Sequence, residues 1–99
     1  MADILVNGTK LKCLCDTGAE INLLPDEFAE KHCLSLKPVN DVQPVIVDQT
    51  LVQCTGVTDV HIQVGPHQQF SNVNFYAVHG IEYGILSFPL LSQLGAVID

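Results

Sequence analysis

Ninety-nine residues with eleven carboxylates against four lysines and no arginine carry a formal charge of −7. That balance excludes a phosphate-gripping face for nucleic acid and a polybasic contact with a membrane surface. The length suits one domain, residues 1–99, and the 47% hydrophobic against 15% charged content predicts apolar surface that meets a partner. No apolar run approaches the ~20 residues of a membrane span, and no signal-peptide pattern opens the chain, so a cytoplasmic protein or a domain cut from a longer polyprotein is expected.

Residues 2–6 and 10–16 read as strands joined by Asn7-Gly8, a strong two-residue hairpin signal. Residues 21–24 form a third apolar run, and Pro25-Asp26-Glu27 then opens a short helix over 25–32, with Pro in the first turn and acidic residues at the positive end of the dipole. Residues 45–47 and 51–54 flank polar Asp48-Gln49-Thr50 and predict a projecting hairpin. After Gly56 a strand is expected over 57–64, a turn at Gly65-Pro66, a strand over 70–78 and a stop at His79-Gly80. Residues 83–87 read as a strand leading into a short helix, 88–95, bracketed by Pro89 and Gly95. Residues 96–99 are a terminal strand with nothing left in their own chain to pair with, which suggests pairing between chains.

Cys13, Cys15, Cys33 and Cys54 could hold zinc with a histidine, as a small metal or redox domain would. Yet only one residue separates Cys13 from Cys15, closer than structural zinc sites use. On a strand these two share a face and behave as small hydrophobes. His32, His61, His67 and His79 show no ligand spacing and read as surface or turn residues.

Between two apolar runs stands Asp16-Thr17-Gly18-Ala19-Glu20. An ordinary β-turn uses the same residue types. A loop of this kind between strands is also where aspartic proteases keep a catalytic carboxylate, and their chemistry needs two carboxylates sharing one proton. Because the triplet occurs once, the second copy must come from another chain, which predicts a homodimer with its site on the two-fold axis.

The order of hairpin, Asp-Thr-Gly-Ala loop, apolar strand, helical turn, projecting hairpin, β-meander, Ile-Leu strand, Leu-Leu helix and terminal strand resembles that of the retropepsins. These are the aspartic proteases of retroviruses and gypsy-type LTR retrotransposons. The anchors are residues 15–19 and 85–99. The resemblance implies an all-β, single-lobed acid-protease fold with one short C-terminal helix, closed as a symmetric homodimer. It implies catalysis by Asp16, Thr17 and Gly18, and substrate contacts from Ala19, Glu20, Val47, Asp48, Gln49, Thr50 and Ile85. Leu23, Leu51 and Leu86 are further subsite candidates that read first as core. No metal or cofactor is implied. The expected substrate is an extended retroelement polyprotein cut at hydrophobic sites by water attack, in the cytoplasm or within a virus-like particle, with no nucleic-acid or membrane partner.

Three departures stand out. Ser87 occupies a position where the family usually has Gly. Phe88 stands where Arg or Asp is common, and such an Arg often pairs with the acidic residue after the loop, here Glu20. The presumed flap tip is glycine-poor, as in the retrotransposon branch. The same departures motivate an alternative, a catalytically weak or inactive module for dimerisation or peptide binding.

Overall fold

Asn7 and Gly8 make the tight turn that the sequence predicts, with φ of 50° and 87°, the left-handed pair that a two-residue hairpin requires. The turn is tied to the neighbouring strand as well: the Asn7 N–H donates to the His61 carbonyl at 2.7 Å, and the His61 N–H donates to Asn7 Oδ1 at 2.8 Å. The computed structural model describes residues 2–38, 45–47 and 50–94. The predicted flap residues Asp48 and Gln49 and the predicted terminal strand 96–99 lie outside them.

The elements in chain order are β1 (Ala2–Val6), β2 (Thr9–Cys15), β3 (Asn22–Pro25), α1 (Asp26–Lys31), β4 (Val45–Val47), β5 (Thr50–Val52), β6 (Cys54–Val64), β7 (Gln68–Val78), β8 (Gly84–Leu86) and α2 (Phe88–Leu94). Six strands close a barrel in the order β1-β2-β8-β3-β7-β6, while β4 and β5 form a separate antiparallel pair. The predicted break at Gly56 does not end a strand: β6 runs through it with a register shift between Cys54 and Gly56. Helix α1 begins after Pro25, which caps it in an extended conformation and ends β3.

Two parallel pairings, β2 with β8 and β3 with β7, build the middle of the barrel. Strands 3 and 8 read in the sequence as continuous apolar runs, and the structure supplies the reason. Leu24 and Leu86 enter the main core with Ile4, Val6, Ile62 and Phe75. Their neighbours Leu23 and Ile85 point the other way, into a second cluster with Cys54 and Val78. A strand buried on both faces has no polar side to show. Helix α2 closes the main core with Leu90 and Leu91.

The cysteines divide by position rather than by strand face. Cys13 is fully buried, whereas Cys15, two residues on, is exposed; β2 ends there, at the barrel rim. Of the expected core or interface thiols, Cys13 is thus a core residue, while Cys15 stands on the surface of the single chain. Cys33 is also exposed and Cys54 buried, and all four are free thiols. Among the described residues no group of three or more His, Cys, Asp or Glu side chains is placed to hold a metal ion. No described helix is long and apolar enough to cross a membrane.

Cys13 faces Gly84 across the β2–β8 pair. A Cβ on Gly84 would sit 2.7 Å from Cys13 Sγ and 3.0 Å from Leu11 Cδ2, so only glycine allows this close approach. Gly84→Ala is therefore expected to destabilise the fold by about 1–3 kcal/mol through overpacking, read as a lower denaturant midpoint. Burial pushes the Cys13 thiol up to about 12, with the charges of Cys15 and Asp3 adding to the effect. The unfolded thiol ionises near 9, so the stability from this neutral buried group is complete below that pH and is lost as pH rises towards 12. A Cys13→Ala variant, although less stable overall, should show a shallower fall of its urea midpoint with pH over this alkaline range than the wild type.

Candidate active site

The loop after β2 is a β-turn in its local geometry. The Ala19 N–H donates to the Asp16 carbonyl at 3.1 Å, and the Gly18 N–H donates to Asp16 Oδ1 at 2.9 Å. Short polar residues and glycine favour such a turn. A Cβ on Gly18 would lie 3.3 Å from Asp16 Oδ1, so glycine keeps the space beside that oxygen open.

What distinguishes this turn is how it is mounted. The Asp16 N–H donates to the Leu86 carbonyl at 3.1 Å, extending the parallel β2–β8 ladder by one residue. The Phe88 N–H donates to the Ala19 carbonyl at 2.9 Å. The two segments that the sequence separates by about seventy residues are thus joined at both ends of the turn. Asp16 is partly buried at the rim, with Thr17 and Gly18 exposed, Ala19 half-buried and Glu20 exposed. Ala19 also packs against the second core cluster.

The other predicted site residues fall in different settings. Ile85 is 3% exposed, buried within the chain beneath the loop, and Leu23 and Leu86 are core in the same way. Val47 and Thr50 face each other in the β4–β5 register. Glu20 has no ion pair among the described residues. The chain has no arginine, and lysines 10 and 37 pair instead with Asp3 and Asp59. Phe88, at the start of α2, is 45% exposed.

Two residues do more here than the sequence suggested. Asn22, first in β3, accepts from the Ser87 N–H at 2.9 Å through Oδ1 and donates through Nδ2 to the Asn74 carbonyl at 3.0 Å. It ties β3 to the start of α2 and to β7. Ser87 is 2% exposed, and its Oγ accepts from the Leu90 N–H at 3.4 Å, the geometry of a helix N-cap. A glycine could not cap α2 in this way, so the departure from the resembled pattern has a local role. The signal was present, since Ser followed by Phe-Pro-Leu is a helix start. Nothing in the sequence revealed the bridge through Asn22, because its partners are 52 and 65 residues away.

Beside the loop opens a pocket of about 410 Å³ lined by Glu20, Ile21, Asn22, Asn72, Val73, Asn74, Tyr76, Ser87, Pro89, Leu90 and Gln93. It lies between the end of the loop, β7 and α2.

Residues 2–91 match the family described as "gag-polyprotein putative aspartyl protease". The chain belongs to this family. No curated protein sequence matches it. Among solved structures, EIAV protease in complex with the inhibitor HBY-793 is similar, with a TM-score of 0.76 at 22% identity over 98% of this chain and 88% of that one. A retropepsin-like aspartic protease from Rickettsia conorii is similar at a TM-score of 0.69 and 21% identity, covering 92% of this chain and 68% of that one. Simian foamy virus (mac) protease is similar at a TM-score of 0.62 and 20% identity, covering 95% and 93%. Identities this low establish a shared fold, and the fold is that of the retropepsins: single-lobed, mostly β, with a short C-terminal helix.

The Asn22 bridge gives a test of how the loop is mounted. Asn22→Ala leaves the Ser87 N–H and the Asn74 carbonyl without their side-chain partner and is expected to cost about 1–3 kcal/mol. Ser87→Ala, which loses only a long cap bond, should cost about 0.5–1 kcal/mol. Chemical denaturation of both variants checks the order.

Proposed function

We propose that this chain is an aspartic endopeptidase active as a homodimer, each copy contributing one Asp16. The observation that carries the proposal is the Asp16-Thr17-Gly18 turn, mounted at the barrel rim by hydrogen bonds at both ends and occurring once per chain. One carboxylate makes half of a two-carboxylate site.

In the assembled site the two Asp16 carboxylates share a proton, since like charges a few Å apart cannot both ionise cheaply. The ionised member takes a proton from a water between them, and that water attacks the scissile carbonyl. The protonated member polarises the carbonyl, and a proton then passes to the leaving nitrogen. Gly18 contributes space beside the carboxylate and an N–H that orients it, and Thr17 a hydroxyl for contact across the axis. An extended peptide would lie between this floor and the β4–β5 pair as an added strand. Main-chain hydrogen bonds would provide affinity and apolar pockets selectivity. The family description, which names a gag polyprotein, supports a polyprotein substrate; the reading adds a retroelement origin, cuts at hydrophobic positions and a place in the cytoplasm or within a virus-like particle.

Cleavage of unstructured peptides at several protein concentrations tests the reading. Activity should rise more than linearly with concentration, because dimerisation assembles the site, and should vanish in Asp16→Asn. It should be greatest at mildly acidic pH, where two copies of charge −7 repel less. An optimum above about pH 8 would contradict that account. Equal silence of wild type and Asp16→Asn would favour a retropepsin-like dimerisation or peptide-binding module, for which the exposed Phe88 and unpaired Glu20 are the motive.

A further inference from the structure

The pocket beside the site loop has a definite chemical bias. One rim residue, Glu20, is a carboxylate without a cationic partner among the described residues. Asn72, Asn74 and Gln93 are exposed amides in the walls, each able to turn a carbonyl oxygen towards a cation. Asn22 has both ends of its amide engaged within the fold, so it serves as a fixed wall. Tyr76 adds a half-buried aromatic ring. All four lysines of the chain, at positions 10, 12, 31 and 37, lie outside this lining, and there is no arginine anywhere. A carboxylate, carbonyl oxygens and an aromatic ring form a surface that suits a guanidinium or ammonium group and repels an acidic one.

The position relative to Asp16 says where such a group would come from. Glu20 follows Asp16 by four residues on one loop, a reach of at most about 13–14 Å even if that loop were fully extended. An extended peptide rises about 3.3 Å per residue. A side chain two to four residues from a bond cut over Asp16 is therefore within reach of Glu20 at the pocket's rim. The pocket, about 410 Å³ and broadly open to solvent, has room for one long side chain.

From these observations we infer that the Glu20 pocket is a subsite for a basic side chain, arginine above lysine, two to four residues from the cleaved bond. The inference rests on the peptide-cleaving reading of the Asp16 loop and adds a charge requirement to it. Substrates would combine apolar residues at the cut with a cation nearby. Arginine is favoured because its planar fork can engage carboxylate and carbonyl oxygens together and stack on Tyr76.

The test uses the full-length Asp16→Asn protein, so that binding is read without cleavage. Fluorescent peptides with an apolar centre carry arginine, its neutral isostere citrulline, or glutamate at each position two to four residues away, and fluorescence anisotropy gives their affinities. At one position at least, arginine should bind about tenfold more tightly than citrulline and glutamate more weakly than either, with the preference shrinking as salt is added. Glu20→Gln in the same background should remove the preference, whereas Glu82→Gln, an equal charge change at an exposed residue outside this pocket, should keep it. Equal affinity for arginine and citrulline, a preference that survives Glu20→Gln, or no binding by any peptide overturns the subsite. Wild-type cleavage is measured on the same peptides to separate the two claims. Cutting without charge preference sinks the subsite and leaves the protease. A charge preference in binding without any cutting keeps the pocket's selectivity for a cation, as a peptide-binding site, and sinks the protease.

Discussion

Two backbone hydrogen bonds hold the functional end of this molecule together: Asp16 N–H to the Leu86 carbonyl and Phe88 N–H to the Ala19 carbonyl. An isolated Asp-Thr-Gly turn would sample many orientations, and ordering each residue costs about 1–2 kcal/mol of backbone entropy. Clamping the turn at both ends to a buried strand spends that entropy during folding, so the carboxylate is already placed when a partner or substrate arrives. The Gly18 N–H on Asp16 Oδ1 completes the arrangement at the level of the side chain.

The clamp is only as firm as the strand to which it is attached. Strand β8 has three residues, all buried, between β2 on one side and β3 on the other. Ile85 and Leu86 send side chains into two separate clusters, so the strand is gripped from both faces, and Gly84 lets it approach β2 closely enough to pair. The Asn22 amide then joins the end of this strand to β3 and β7 at once. Core packing, one missing side chain and one side-chain amide together determine where Asp16 stands.

Charge shapes the rest of the site. A chain with four cations and eleven carboxylates leaves most acidic groups without partners, and the two lysine pairs seen, 3.6 Å long and mostly exposed, contribute little to stability. The acidic excess is instead a property of the surface that meets other molecules. It would oppose the proposed meeting of two like copies and favour the proposed cationic group near Glu20, so salt would strengthen the first and weaken the second.

Much of the fold was legible in the residues. The Asn7-Gly8 turn, the alternation along β6 and β7, the non-alternating runs of β3 and β8 and the Pro signals at the helix starts are local rules with short range. The Asp16 turn was legible as a turn, and its single copy motivates the proposal that it is half of a site. What the chain order could not disclose were the parallel partners of β2 and β3, the burial of Cys13 against the exposure of Cys15, the role of Gly84 and the Asn22 bridge. Each depends on which residues meet after dozens of intervening positions have been folded away, and local propensity carries no information about that. Sequence by itself determined most of the elements, the acidic balance and the presence of one Asp-Thr-Gly carboxylate per chain. Only the tertiary structure decided how that carboxylate is held and what surrounds it, because the hydrogen bonds and close contacts responsible join segments that are distant along the backbone.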